Sequence, residues 1–283
     1  MRWKGRQTST NVEDRRGGRT GRVVGGTVGI GTIIFFIAYT LITGEAPTQM
    51  INQQTQAPQT QQAQAPDDDL ATFSKVIFKD TEDVWSKVFA EDLNSRYRYP
   101  KLVLYSGQTQ AACGMASAAT GPFYCPADEK VYLDLNFFRE LKSRFGATGD
   151  FAMAYIIAHE VGHHVQNLLG ITRQVQSQRR RLSKAAYNRL SVRLELQADY
   201  FAGVWANHIE KMKHVLNEGD IEEAMRAANS VGDDRLQKKY TGRVVPDAFT
   251  HGTSEQRMRW FLKGFKTGDI NQGDTFKVAY QDL

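Results

Sequence analysis

The sequence predicts an α+β domain that is mostly helical with a small sheet and is preceded by one transmembrane helix. Over most of the second half of the chain, apolar residues recur at the three- to four-residue spacing of amphipathic helices. Two short segments before that half have the pattern of strands, and an uncharged run of 22 residues lies near the beginning. The chain has 283 residues, of which 41% are apolar and 24% charged, so it can build one sizeable hydrophobic core.

The uncharged run is Val23–Gly44, "VVGGTVGIGTIIFFIAYTLITG". A helix of this length can cross a hydrocarbon core of about 30 Å, and the run has neither a polar face nor the cut site of a signal peptide. Residues 1–22 carry seven Lys/Arg and two acidic residues, which equals the net charge of +5 of the whole chain. We therefore expect a basic cytoplasmic tail over 1–22, a single-pass anchor in the cytoplasmic (inner) membrane over 23–44 and an extracytoplasmic domain. Because the positive excess is confined to the tail, we do not expect nucleic-acid binding.

Residues 45–69 are rich in Gln, Pro, Ala and Thr and contain no aromatic residue, which predicts a disordered linker before a domain over 70–283. The domain contains the two cysteines of the chain, Cys113 and Cys125. In a compartment beyond the membrane such a pair can oxidise, and the glycines and proline between them favour a tight loop. We expect a disulfide, with a pair of buried thiols as the alternative.

The domain's elements follow from its apolar periodicity and from its cap residues. Strands are predicted over 101–106 and 130–135, the second because alternate side chains are apolar. Helices are predicted over 80–93, 136–145, 150–170, 183–214 and 220–232. A last helix begins at Thr253, where Thr253 and Gln256 fit a capping box. Segment 130–135 is also a candidate edge strand that could hold an extended peptide, with an ordinary sheet strand as the alternative.

A metal site is indicated by "AHEVGHHVQ", residues 158–166. On a helix, His159 and His163 lie one turn apart on one face, so their imidazoles can converge on one ion. Glu160 lies about 100° further around the helix, which suits a base beside the metal rather than a ligand. This is the H-E-x-x-H arrangement of zinc metalloproteases. His164 lies on the Glu160 side and is interpreted as supporting or structural; core histidines bonded to carbonyls are the alternative for the whole motif.

A catalytic zinc ion needs a third protein ligand and an open position. The Gly and His that metzincins place at positions 166 and 169 are absent, so that class is excluded. Glu195 and Asp199 are four residues apart within a largely apolar stretch, where acidic groups need a partner. We assign Glu195 as the third ligand and Asp199 as the acceptor for a ligand histidine's free N–H. The alternative is an ion pair of these carboxylates with Arg189 or Arg193.

With one Zn²⁺ ion held by His159, His163 and Glu195, Glu160 would take a proton from the attacking water and return it to the leaving amine. The oxyanion of the tetrahedral intermediate needs an additional donor. His251 is our candidate catalytic residue for this role and Arg257 the alternative; a loop histidine that bonds the next helix cap is an equal interpretation of His251.

The quoted blocks together resemble a known family. "HEVGHHVQ", "ELQADYFAGVWA" and "GRVVPDAFTHGTSEQRMRWF" are similar, in this order, to the bacterial neutral zinc metallopeptidases of the YpfJ-like type, and so is "CG…GPFYCPADEKVYLDLNFF". The resemblance covers the apolar run and most of residues 70–283. It implies a zincin-like metallopeptidase fold of the glutamate-ligand type, with His159, His163 and Glu195 on zinc and Glu160 as catalytic acid/base. Asp199 follows at the family's spacing, and no substrate is implied.

We therefore expect a membrane-anchored zinc endopeptidase that acts on a protein or peptide. Two alternatives stay open: a non-catalytic, zinc-stabilised module that binds an envelope partner, and a zinc amidase that acts on cell-wall peptide. The number of ligands argues against a closed structural zinc site, because the sequence offers three ligands and a base rather than four ligands.

Overall fold

The computed structural model describes residues 1–16, 68–117, 121–138, 141 and 149–283. The strands are β1 (Val12–Asp14), β2 (Lys101–Tyr105), β3 (Gln108–Ala111), β4 (Gly114–Ser117), β5 (Phe123–Cys125) and β6 (Lys130–Asp134). The helices are α1 (Asp68–Glu91), α2 (Asp150–Leu168), α3 (Ile171–Ser177), α4 (Lys184–Lys213), α5 (Asp220–Ser230), α6 (Asp233–Thr241) and α7 (Ser254–Thr267). The predicted architecture, mostly helical with a small sheet, is thus confirmed. Most of the helix predicted over 136–145 lies outside the described residues.

The sheet has the strand order β1-β2-β6-β5. β1 and β6 run parallel to β2 on its two sides, whereas β5 runs antiparallel to β6. The prediction that segment 130–135 is an edge strand is therefore wrong, because β6 is paired on both sides; its residues 131–134 are buried accordingly. The strand at this end of the sheet is β5. A disulfide between Cys113 and Cys125 ties β5 to the turn of the β3–β4 hairpin and confirms the predicted bond.

Helices α2 and α4 cross at the centre of the domain, and α7 packs on α4. The approach of α2 to α4 depends on Gly162, where an added Cβ would lie 2.9 Å from the carbonyl oxygen of Ala198. The first turn of α7 has the predicted capping box: Gln256 N donates to Thr253 Oγ1 at 3.1 Å, and Thr253 N donates to Gln256 Oε1 at 2.9 Å. The tight α2–α4 contact brings side chains of the two helices into direct contact at the site described below.

The prediction of a transmembrane helix is corrected, and with it the single-pass location in the cytoplasmic membrane. In the part of the chain that the structure describes, every helix is too short or too polar to cross a membrane. Even α4, with 30 residues, carries charged side chains over residues 184–199 and again over 210–213. The predicted anchor over 23–44 and most of the predicted linker over 45–69 lie outside the described residues.

Contacts between residues 1–16 and the domain also contradict the predicted membrane topology. Residues 1–16 pack on the domain: β1 pairs with β2, the indole N–H of Trp3 donates to Asp150 at 2.7 Å, and Arg6 forms an ion pair with the buried Asp80. Lys130 on β6 pairs with Glu13 on β1 at 2.7 Å. The predicted topology would place residues 1–16 and the domain on opposite sides of a membrane, which is incompatible with their pairing in one sheet.

Candidate metal centre

Helix α2 presents two adjacent rows of polar side chains, each spaced four and then three residues apart. The first, which we call the metal row, contains His159, His163 and Gln166, and the second, the strand row, contains Glu160, His164 and Asn167. Such spacing places the members of a row one above the other on a helix, with the two rows about 100° apart. The metal row faces α4, whereas the strand row faces β5.

The metal row meets Glu195 of α4. His159 Nε2 lies 3.2 Å from Glu195 Oε2, and His163 Nε2 lies 3.5 Å from Glu195 Oε1. Each of the three residues offers one ligand atom, and these atoms lie within 4.8 Å of one another, so the group could hold a metal ion. The predicted ligands are therefore brought together, and Glu195 faces both imidazoles.

The other ring nitrogen of each histidine has its own acceptor. His159 Nδ1 lies 2.8 Å from Asp199 Oδ1, and His163 Nδ1 lies 2.8 Å from Gln166 Oε1. The Gln166 amide nitrogen donates to the Leu194 carbonyl at 2.6 Å, which orients the amide oxygen toward His163. Since both acceptors require a proton on Nδ1, both Nε2 atoms keep a lone pair for a metal.

Asp199 is fully buried and lies between three donors. Arg257 of α7 binds both of its oxygens, with Nε–Oδ2 at 2.8 Å and Nη2–Oδ1 at 3.0 Å, and the Tyr155 hydroxyl donates to the same carboxylate. Arg257 thus lies on the Nδ1 side of His159, with its guanidinium bonded to Asp199.

The alternative that Glu195 and Asp199 form ion pairs with Arg189 or Arg193 is not supported by the contacts of these arginines. Arg189 pairs with Asp247 at 3.2 Å, and Arg193 donates to the backbone carbonyls of Thr275 and Val278. Neither arginine has Glu195 or Asp199 among its partners.

Charge in the site is balanced between buried groups of opposite sign. Burial disfavours the charged imidazole of His159, but Asp199 and Glu195 outweigh it and raise its pKa to about 10. Burial likewise opposes ionised Asp199, yet Arg257 and His159 hold its pKa at about 2. The pKa of Glu195 lies well below its usual range despite burial, mainly because of His163. A partly buried carboxylate that faces two imidazoles is a donor set suited to Zn²⁺, which would replace the stabilising protons.

Glu160 is the buried carboxylate beside this group. Burial raises its pKa above the usual range, while His159 and His163 act in the opposite direction. The backbone amide of Tyr124 on β5 lies close enough to this carboxylate to favour the ionised form. Glu160 is therefore a carboxylate whose proton affinity is increased, positioned next to the three candidate ligands but not among them.

His251 is held by Asp233, the first residue of α6. Asp233 Oδ2 accepts the backbone amides of Thr250, His251 and Gly252 at 2.6–3.1 Å, and Asp233 Oδ1 lies 3.3 Å from His251 Nδ1. Burial lowers the pKa of His251, but the nearby Glu195 and Asp233 raise it overall. His251 thus lies on the Glu195 side of the site, with its side chain 41% exposed.

Sequence reasoning missed several residues of the site: Gln166, Tyr155, Tyr124 and Asp233. Gln166 could have been found, because it lies three residues after His163 on the same helix face. Tyr155 also carries such a signal, four residues before His159. Tyr124 and Asp233 come from β5 and α6, and no spacing in the sequence relates them to α2.

Together, fold and site define a class: a mostly helical domain whose H-E-x-x-H helix faces a glutamate of a neighbouring helix, as in zinc hydrolases. The chain belongs to the family described as "Putative neutral zinc metallopeptidase", whose match covers residues 1–276. The YpfJ protein of Escherichia coli K12 is 48% identical over 286 residues, covering 98% of this chain and 99% of the relative. A protein of Mycobacterium tuberculosis H37Rv is 45% identical over 193 residues, covering 65% of this chain and 64% of the relative. Both relatives are named as uncharacterized, and no solved structure matches the chain.

Proposed function

We propose that the protein is a zinc-dependent endopeptidase in which His159, His163 and Glu195 hold one Zn²⁺ ion and Glu160 is the general base. The observation that carries the proposal is the convergence of both Nε2 atoms on Glu195, within 3.2–3.5 Å, beside a buried Glu160. Three ligands leave a fourth position for solvent or substrate, as a catalytic site requires.

When bound, zinc makes a water molecule more acidic and polarises the scissile carbonyl. The other steps belong to residues of the chain. Glu160 accepts a proton from the attacking water and donates it to the leaving amine, and burial, which raises its pKa, suits both steps. Asp199 and Gln166 keep the Nδ1 protons of the two histidines in place throughout.

His251 is our proposed donor to the oxyanion of the tetrahedral intermediate. Its support is its location on the Glu195 side of the site and its contact with Asp233, which favours a protonated, donating imidazole. Arg257 is not proposed for this role, because Asp199 occupies its guanidinium.

The proposed substrate is a protein or peptide in extended form. Support comes from β5, which ends the sheet and whose central residue, Tyr124, has its backbone amide near Glu160. A peptide that pairs with the end strand of a sheet is held by main-chain hydrogen bonds, largely independently of sequence. Such a peptide would pass directly beside the base.

The test is the variant Glu160→Gln, measured for zinc content and for cleavage of unfolded casein. We expect about one zinc ion per chain in parent and variant, and a rate at least about 10²-fold lower in the variant, because the proton acceptor is lost. Glu218→Gln, at an exposed position, is the matched control and should cleave like the parent. Equal cleavage by Glu160→Gln and parent would refute the mechanism.

The same assay separates the alternatives. Stoichiometric zinc without turnover of casein or cell-wall fragments would indicate a non-catalytic module. Turnover of cell-wall fragments but not of casein would indicate an amidase.

A further inference from the structure

His164 is the histidine of the motif that the proposed mechanism leaves without a role. It is fully buried on the strand row, and its Nε2 lies 2.7 Å from the backbone carbonyl oxygen of Arg98. Because a carbonyl only accepts, this nitrogen carries the proton, and the other ring nitrogen must accept. Nδ1 lies 2.9 Å from the hydroxyl of Tyr124, which therefore donates to it.

Tyr124 is bound to α2 through its hydroxyl, which donates to His164 and accepts from the side-chain amide of Asn167 at 3.1 Å. Its backbone amide lies near the carboxylate of Glu160. All three of these α2 residues belong to the strand row. One residue of β5 is thus bonded to two members of this row and lies beside the third, Glu160.

The ring of His164 is also held from its sides. The rings of Tyr97 and Tyr124 pack against it edge to face, with centroids 5.7 and 5.4 Å away. Within the described part of the chain, the buried hydroxyl of Tyr97 has no hydrogen-bond partner. Two tyrosines therefore contact one imidazole, and the bond to His164 is made by the hydroxyl of Tyr124.

We propose that His164 is a positioning residue that fixes β5 in register with Glu160 through the hydroxyl of Tyr124. The inference rests on the proposed function, since the register matters for a peptide that lies along β5 while Glu160 acts on it. A neutral imidazole bonded at both nitrogens fixes the tyrosine hydroxyl at one height along α2. The next residue of β5, Cys125, forms the disulfide with Cys113, so β5 is also held on the side of Tyr124 that follows in the chain.

The expected effect is on turnover rather than on binding. β5 would still offer its main-chain groups to a peptide without the contact, so KM should change little. The scissile bond would no longer be aligned with Glu160, and misplacement of this kind lowers kcat by about tenfold or more.

The experiment compares Tyr124→Phe, His164→Leu and the double variant with the zinc-loaded parent, on a casein-derived peptide that the parent cleaves. We expect kcat to fall about tenfold in each single variant, with KM changed less than about twofold and zinc content unchanged. The double variant should lose no more than the worse single variant, because the two substitutions remove the same bond. Tyr97→Phe is the matched control: it removes a hydroxyl without a partner from the same ring cluster and should leave kcat unchanged.

A second readout does not depend on activity. Hydrogen exchange of the backbone amide at position 124 should be about tenfold faster in Tyr124→Phe and in His164→Leu than in the parent or in Tyr97→Phe. If exchange at position 124 is unchanged, the inference is overturned whatever the activity. An equal loss of kcat in Tyr97→Phe would overturn it too. If the parent cleaves nothing, the proposed function fails, and the exchange measurement still decides whether His164 fixes β5.

Discussion

His163 and His164 are adjacent on one helix, yet their surroundings act on them in opposite directions. Burial disfavours the charged form of both, but Glu195 faces His163 and raises its pKa above the usual value. His164 faces a backbone carbonyl and a tyrosine hydroxyl, and burial lowers its pKa to about 4. A rotation of about 100° around α2 therefore separates a candidate metal ligand from a neutral structural imidazole.

The same contrast extends along both rows of α2. The histidines of the metal row face two carboxylates of α4 and the amide of Gln166, and their Nδ1 contacts leave both Nε2 atoms facing Glu195, where a cation could replace their protons. The strand row is completed by β5 and the segment before β2, and every polar group of His164 is used inside the protein. Substitutions in one row should therefore change metal binding, and substitutions in the other should change the position of β5.

The largest effect is expected from breaking the metal row at Glu195. In Glu195→Gln the anionic ligand is lost, and we expect zinc affinity to fall by more than about 100-fold, the upper range for loss of a supporting hydrogen bond. Casein cleavage should become undetectable after dialysis against a weak chelator. Hydrogen exchange at position 124 should stay as in the parent. Retention of stoichiometric zinc would show that Glu195 is not a ligand.

The next largest effect is expected in the pH dependence of the free energy of unfolding, through His164. His164 has a pKa of about 4 in the folded protein against 6.5 for an unperturbed histidine. Between these values the unfolded chain binds the extra proton, so the contribution of His164 to stability is complete above pH 6.5 and falls by about 3 kcal/mol as the pH falls toward 4. Urea unfolding of zinc-free protein at pH 7 and pH 4 measures it. His164→Phe, which cannot titrate, should lose about 3 kcal/mol less over this range; equal losses would contradict the assignment.

A pair of neighbours, one from each row, tests the division directly. Gln166→Met removes the acceptor of the His163 Nδ1 proton, and zinc affinity should fall about tenfold. Asn167→Leu removes a bond to Tyr124, so zinc affinity should stay unchanged while exchange at position 124 becomes faster. Competition with a chromogenic chelator measures the affinities. If both variants weaken zinc binding equally, the two rows are not separate.

The smallest effect is expected at the contact between the two central helices. Gly162→Ala adds a Cβ that would lie 2.9 Å from the Ala198 carbonyl oxygen, so α4 must shift. We expect the free energy of unfolding to fall by about 1–2 kcal/mol. Because the shift moves Glu195 with α4, zinc affinity should fall as well, by less than in Gln166→Met. Unchanged unfolding and zinc affinity would mean that the contact is loose.

Part of the site could be predicted because its residues recur at helical spacing within single helices. His159 and His163, and likewise Glu195 and Asp199, are four residues apart, and an α-helix places such pairs on one face. The order of the strands had no such local signal: 130–135 has the alternation of an edge strand, yet pairing on both sides was decided by residues 101–105 and 123–125. The prediction that the basic tail lies across a membrane from the domain was wrong for the same reason. Strand β1, residues 12–14, is too short to be recognised in the sequence without its partner β2.

The sequence by itself indicated the candidate groups of the site: two imidazoles, a glutamate beside them, a carboxylate on another helix and two cysteines that could pair. These follow from helical periodicity and residue type, which act over a few residues. Only the tertiary structure decided what completes them, namely Arg257 on Asp199, Asp233 on His251 and β5 against Glu160. Each of these contacts joins elements far apart in the chain, and their packing, rather than any local preference, sets which side chains meet.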